Sequence, residues 1–223
     1  MGKICVAVVG PPRSGTSAVA GLLHQMGVHM GDELLPANVH NPKGFYEDLD
    51  FVELNAKLLD GVEDPLVEPR WSPPLRAEFT HLVRRKAALH DLWGVKDPRL
   101  CMTINDLAAE LRAVGCELRV VTTLRSVHHS VNSLRKLHGG MGVAQAAGII
   151  GKYSYARSAN MEKWIQADPQ NLTRQFQLLY DQLVTEPEAT AGALLRFLGK
   201  EPVVTDEMRA WVDPQLQHEK SLF

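Results

Sequence analysis

The run Gly10-Pro11-Pro12-Arg13-Ser14-Gly15-Thr16-Ser17 gathers glycines, hydroxyls and one cation directly behind the apolar stretch ICVAVV. A loop of this composition turns backbone N–H groups and a helix N-terminus toward an anion. A Walker-type nucleotide loop reads G-x-x-x-x-G-K-[ST]; its lysine reaches the β- and γ-phosphates and its hydroxyl ligates magnesium. Gly10, Gly15 and Ser17 keep that spacing, but Thr16 stands in the lysine position and the cation lies inside the loop, at Arg13. No apolar strand ends in the aspartate of a Walker B element, since LRVVTTLR closes on Thr and Arg. Pro12, Arg13, Ser14, Gly15, Thr16 and Ser17 are therefore expected to cradle one phosphate-like group with a second anionic group beside it. A metal-bound triphosphate would lack its usual anchors. The plainer alternative is a Gly-Pro-Pro turn that only links a strand to a helix.

The elements that must position this loop follow from hydrophobic pattern. KICVAVV is β-branched and apolar on both faces, as in a central parallel strand. SAVAGLLHQMG has helical spacing through Val19, Leu22, Leu23 and Met26, and stops at Gly27. LDFVELNAKLLDG reads as a second helix, DPLVEPRWSPPLR as loop broken by prolines, and RAEFTHLVRRKAALHDL as helix again. LWGVKDPR is a short buried strand stopped at Asp97-Pro98. TINDLAAELRAVG is an amphipathic helix, capped by Thr103 or Asn105 and ended by Gly115. CELRVVTTLR is a buried strand and SVHHSVNSLRKL the start of a helix, while HGGMGVAQAAGIIG is open between lid, loop and helix. FQLLYDQLV reads as an edge-like strand and turn, EATAGALLRFLG as a final helix. Strands alternating with helices imply a parallel sheet covered on both faces in one α/β domain spanning residues 1–223.

Composition narrows the function. The chain of 223 residues suffices for one sizeable core. With 24 basic and 26 acidic side chains and a formal charge of -2, it has no blanket positive field for nucleic acid. Cys5, Cys101 and Cys116 are widely spaced, which argues against a disulfide framework or thiolate metal site and suits a reducing compartment. The nine histidines show no i, i+4 pairing with carboxylates, so no metal is expected. The apolar run near residue 4 is too short for a signal core or membrane span, and Val6 stands where a myristoylation motif needs Ser or Thr. A soluble cytoplasmic protein is the expectation; the oligomeric state is not legible.

PPRSGTS resembles the 5′-phosphosulfate loop of sulfotransferases that use 3′-phosphoadenosine 5′-phosphosulfate (PAPS), and further stretches match that family in the same order. NPKGFYEDLDFVELN resembles the segment after the first helix in bacterial and phage-type members. VKDPR is similar to the Lys-Asp-Pro motif of the tyrosyl-protein and related enzymes. LRSVHHSVNS resembles the 3′-phosphate motif, Arg125 with Ser133 eight residues on, and LYDQLVTEPEATAGALLRFLG matches the Tyr-Glu-Asp-Leu region. The resemblance runs from about residue 4 to 200. It implies a P-loop kinase-like three-layer α/β sandwich with a central parallel sheet flanked by helices. It also implies PAPS as donor, adenosine 3′,5′-bisphosphate as product and no metal requirement.

The same resemblance distributes roles. Arg13 stands at the catalytic loop cation, with arginine as in the tyrosyl-protein branch where many cytosolic members have lysine. Fixed cations and N–H dipoles aimed at the developing charge lower a transfer barrier. Arg125 and Ser133 would clip the 3′-phosphate, with Ser130 the competitor if the register differs. The acceptor needs a general base, and Glu47 is favoured; Asp48, Asp97, His40, His128 and His129 stay open. Lys96 is expected at the carboxyl edge of the sheet, directed at the sulfonate or acceptor oxygen, with Asp97 or Arg99 assisting. Tyr180 and Asp181 receive no chemistry, and Trp164 and Tyr153 are either pocket wall or core. The RKGxxG segment of cytosolic members is missing, leaving Lys152, Arg157 or Lys200 as substitutes. A sulfonate would pass to a hydroxyl or amine on a small molecule, saccharide or peptide. The loops EDPLVEPRWSPPLR and HGGMGVAQAAGIIGKYSY are expected to choose the acceptor. The rival readings are a nucleotide or nucleoside kinase with a degenerate loop, and a non-catalytic nucleotide-binding module.

Overall fold

The computed structural model describes residues 2–39, 41–60 and 71–212. The chain runs β1 (Ile4–Val9), α1 (Thr16–Gln25), α2 (Leu49–Leu58), α3 (Pro73–Leu89), β2 (Leu92–Lys96), α4 (Leu100–Ala113) and β3 (Glu117–Leu124). It continues through α5 (Val127–Leu137), α6 (Val143–Ala167), β4 (Gln175–Leu179), α7 (Tyr180–Thr185), α8 (Pro187–Phe197) and α9 (Asp206–Trp211). The four strands form one parallel sheet in the order β2-β1-β3-β4.

Alternation of side chains along β1 divides the core into two layers. Cys5, Ala7 and Val9 pack with Phe51, Phe79, Leu100, Ile104, Leu107 and Trp164 on one face of the sheet. Ile4, Val6 and Val8 pack with Val19, Leu22, Leu23, Leu194, Leu195 and Met208 on the other. Both faces are thus dry, which is why β1 reads as an unbroken apolar run. A third, smaller cluster joins α5 to α6 through Val131, Leu134, Ala146 and Ile150.

Topology fixes where a ligand can sit. The chain leaves β1 for β2 on one side and then crosses to β3 on the other, so the strand order reverses at β1. Sheets of this kind bind ligands beyond the carboxyl edge at such a reversal. The register brings the relevant residues level: Val8 pairs with Lys96 and Val9 with Thr122. Leu124 pairs with Leu179, so the next residues on each strand, Arg125 and Tyr180, emerge side by side.

Several local expectations are corrected. Thr103 and Asn105 lie inside α4 rather than at its cap. The start of α4 is held by Asp97, whose Oδ1 accepts the Arg99 amide at 2.8 Å. Thr103 instead donates to Asn55, and Asn105 to Asn160. Pro73 and Pro74 open α3 instead of breaking it, because proline at the first helical positions gives up an N–H that has no intrahelical acceptor anyway. Residues 64–70 of that proline-rich stretch lie outside the described residues. HGGMGVAQAAGIIG resolves into a short turn followed by the first part of α6, Tyr180 begins a short helix, and α9 follows the helix taken to be final.

Candidate active site

Backbone conformation shapes the loop after β1. Arg13 adopts φ 64° and Gly15 φ 96°, two left-handed residues flanking Ser14. A side chain at Gly15 would meet the Tyr180 ring at 2.2 Å, and one at Gly10 would meet Thr123 Oγ1 at 2.1 Å. Only glycine admits these approaches. Ser14 is buried and turned inward: its hydroxyl donates to the Pro11 carbonyl at 2.7 Å and lies 2.8 Å from Thr123 Oγ1. Its role here is to tie the loop to β3. The amides of Thr16 and Ser17, in the first turn of α1, have no intrahelical acceptor and carry the positive end of the helix dipole.

Beyond this loop opens a cleft of about 370 Å³. Pro12, Arg13, Gly15, Thr16 and Ser17 line it, as do Glu47, Lys96 and Arg125. Two charged centres stand out. In the first, the Arg13 Nε–H donates to Ser133 Oγ at 2.9 Å, and Arg125 Nη1 donates to the Arg13 carbonyl at 3.1 Å. The Arg125 guanidinium stacks on the Tyr180 ring, 4.6 Å from its centroid. Burial and then the neighbouring Arg125 charge lower the proton affinity of Arg13, while burial raises that of the Tyr180 phenol. Two guanidiniums this close repel one another, and an anion between them relieves the repulsion. Ser133 uses only Nε of Arg13, so the terminal amino groups of the fork face no partner among the described residues. Ser130 is buried one turn away.

The second centre is Lys96 with Glu47. Lys96 Nζ donates to Glu47 Oε1 at 2.5 Å and to Ser17 Oγ at 3.1 Å, so it bridges the phosphate loop and the carboxylate. Both side chains are buried. Desolvation pushes the Glu47 carboxyl above the usual carboxylate range; Lys96 pulls it down and Asp97 up, and burial prevails. A carboxylate with raised proton affinity, facing a cleft, is equipped to accept a proton.

The rival carboxylates have structural employment. Asp48 caps α2 by accepting the Asp50 amide at 3.1 Å, and it pairs with buried Lys86 at 2.5 Å. Asp97, wholly buried, accepts from Asn55 at 3.1 Å and from the Arg99 guanidinium and amide. Neither lines the cleft. His128 bonds Asn132 on the surface, and neither it nor His129 reaches the cleft; His40 lies outside the described residues. Lys152, Arg157 and Lys200 are also away from it, Arg157 donating to the Thr123 carbonyl and Lys200 to the Met26 carbonyl at the end of α1. Trp164 is core, whereas Tyr153 lines the cleft.

Sequence reasoning did not pick out Phe45, Lys43, Leu137 and Trp211, which line the cleft, whereas His138 and Ile149 line it from the HGGMGVAQAAGIIGKYSY stretch expected to choose the acceptor. Phe45 carried a signal, being two residues before Glu47 in the same run. Trp211 carried none: it reaches back from α9 to donate to the Ala18 carbonyl at 2.8 Å, an approach spanning almost the whole chain.

Away from the cleft, ligand atoms of His29, Asp32 and His90 lie within 4.8 Å of one another, a grouping invisible to i, i+4 spacing. Their imidazoles stack at 3.8 Å with an interplanar angle of 18°. Lone pairs lying in two near-parallel planes do not converge on one cation, and Lys86 Nζ takes the other Asp32 oxygen at 2.6 Å. Asp32 is hydrogen-bonded by His29 at 2.9 Å and by Lys86, while His90 Nε2 lies 3.4 Å from it without a hydrogen bond.

Comparison with known proteins supplies a family. Residues 6–205 match the model of the sulfotransferase family. No curated protein matches the chain. Among solved structures, the sulfotransferase domain from the Synechococcus PCC 7002 olefin synthase aligns with a TM-score of 0.53 at 16% identity, over 99% of this chain and 84% of that one. The sulfotransferase domain from the curacin biosynthetic pathway aligns with a TM-score of 0.51 at 16% identity, over 99% of this chain and 81% of its own. At that identity the likeness is one of fold.

Proposed function

The chain belongs to the sulfotransferase family, and from that premise we propose that it moves a sulfonate group from PAPS to a hydroxyl or amine acceptor by direct in-line attack. The observation that carries the donor is the pairing of Arg13 with Arg125 beside Ser133, at the mouth of a lysine-less phosphate loop. One cation suffices for a single phosphate. Two guanidiniums and a hydroxyl, together with the first-turn amides of α1, fit a nucleotide phosphorylated at two separate places.

PAPS, when bound, would supply the sulfonate and a phosphate leaving group. The amides of Gly15, Thr16 and Ser17 would hold the 5′-phosphate with the terminal amino groups of Arg13, and Arg125 with Ser133 would hold the 3′-phosphate. The acceptor oxygen forms a bond to sulfur, its proton goes to Glu47, and the sulfur–oxygen bond to the phosphate breaks with its electron pair. Lys96 touches both Ser17 and Glu47; it would steady charge on the departing oxygen and hold the base in position. Arginine keeps its proton at neutral pH, so Arg13 stabilises charge and does not donate a proton.

Arg125→Ala tests the donor. Loss of a charge-assisted clip should weaken adenosine 3′,5′-bisphosphate by roughly 10- to 100-fold and leave adenosine 5′-phosphate nearly unchanged, as read by calorimetry. Equal losses for the two nucleotides would move the 3′ site elsewhere.

A further inference from the structure

The residue just before Glu47 is held in an unfavourable backbone conformation. Tyr46 takes φ 57°, a region that bulky side chains rarely enter. Such a conformation persists only where its surroundings over-determine it, and here two rings do so. The Tyr46 ring lies 5.6 Å from the His24 imidazole of α1 and meets the Trp211 indole of α9 edge-on at 5.4 Å. Beyond this turn the backbone itself is paired, the Leu35 amide donating to the Glu47 carbonyl at 2.8 Å.

Trp211 is clamped in turn. Its indole N–H bonds the Ala18 carbonyl, and its ring fills a notch over Gly21, where an added Cβ would fall 1.9 Å from Cζ2. Lys43, four residues before Glu47, donates to the Trp211 carbonyl at 2.6 Å and sets its ammonium 4.9 Å from the ring centroid. The last carbonyls of a helix have no intrahelical donor, so this cation closes the end of α9. Met208, packed with Leu194 and Leu195, and the Arg209–Glu188 pair at 3.0 Å tie α9 to α8. One indole therefore joins α1, whose first turn belongs to the phosphate loop, to the segment that delivers the carboxylate.

Resting on the donor and base reading above, we infer that Trp211 is a positioning residue, which sets the Glu47 carboxylate against the phosphate loop through Tyr46 and Lys43. With the indole displaced, the Tyr46 turn is released and Glu47 moves from Lys96 into water. Glu47 then loses both the burial that raises its carboxyl and the Lys96 charge that opposes it. Burial is the larger of the two, so the net change is a fall.

Trp211→Ala and Gly21→Ala test this by opposite routes, one emptying the notch and the other filling it with a methyl that expels the ring. The second change favours the helix of α1. Neither alters Lys96, Asp97, Arg99 or Tyr153, the titratable groups that face Glu47. In both variants the Glu47 carboxyl, followed by carbon-13 NMR and assigned by its loss in Glu47→Gln, should titrate lower than in wild type, toward about 4.3. Release of labelled sulfate from PAPS, with water as acceptor, should slow about 10²-fold. In that reaction the water oxygen bonds sulfur, its proton goes to Glu47 and the bisphosphate departs. Adenosine 3′,5′-bisphosphate should bind both variants within about twofold of wild type, which also shows the fold retained. The double variant should match Trp211→Ala within about twofold, because a methyl cannot expel a ring that is gone. An unchanged Glu47 titration in either variant overturns the inference, as does a double variant slowed by the product of the single losses. If wild-type protein does not bind the bisphosphate, the donor reading falls and takes this one with it. If it binds while both variants titrate and turn over as wild type, only the role of Trp211 falls.

Discussion

Glu47 and Asp48 share a chemistry and a peptide bond, yet one faces the cleft through Lys96 while the other caps α2 and pairs with Lys86. Their spacing in the sequence could not separate them, because the difference lies in which side of the chain each carboxylate leaves. The same holds for Arg13 and Ser133, 120 residues apart in sequence and 2.9 Å apart in space. Glu47→Gln should lower turnover about 10²- to 10⁴-fold with bisphosphate affinity retained; equal turnover in a steady-state assay would remove Glu47 from the base position. Because burial raises the Glu47 carboxyl, the base form is lost as pH falls through a value above the ordinary glutamate range of about 4.3. The acid limb of kcat/KM should therefore lie above that range, and should vanish in the Gln variant.

Elements were legible where pattern and packing agree. The two-sided apolar β1, the Gly27 and Gly115 helix ends and the alternation of strand with helix all followed from side-chain period. The starts of α3 and α4 did not: a Pro-Pro pair opens one, and an aspartate three residues upstream caps the other. Six-residue α9 is too short for a helical period to register, so its contribution of Trp211 to the cleft went unread. The element that carries Glu47 is anchored from behind by Lys86 of α3, which is 1% exposed and joins Asp48 and Asp32. Lys86→Met strands the buried Asp48 carboxylate and should cost about 3–5 kcal/mol, measurable by urea denaturation. A cost near zero would mean that the ion cluster does not hold the start of α2. Hydrogen bonding from Lys86 keeps the Asp32 carboxyl well below its usual range, so the stability it contributes is present above the ordinary aspartate pKa and lost as pH drops below it.

At the scale of the whole molecule, a parallel sheet reversing at β1 sends three loops to one edge, and each brings a charged residue to the same cleft: Arg13 after β1, Lys96 at the end of β2, Arg125 after β3. A ligand that bridges these loops ties the sheet together. Adenosine 3′,5′-bisphosphate at a hundredfold excess over its Kd should add about 2.7 kcal/mol and raise Tm by roughly 5–11 °C, with or without magnesium. The most direct measurement is calorimetry on the wild-type protein with adenosine 3′,5′-bisphosphate and with ATP, each with and without magnesium. The bisphosphate should bind at least about tenfold more tightly than ATP, and magnesium should not change it. Tighter binding of magnesium–ATP, or no heat from the bisphosphate, would contradict the assignment of this cleft to a doubly phosphorylated sulfonate donor.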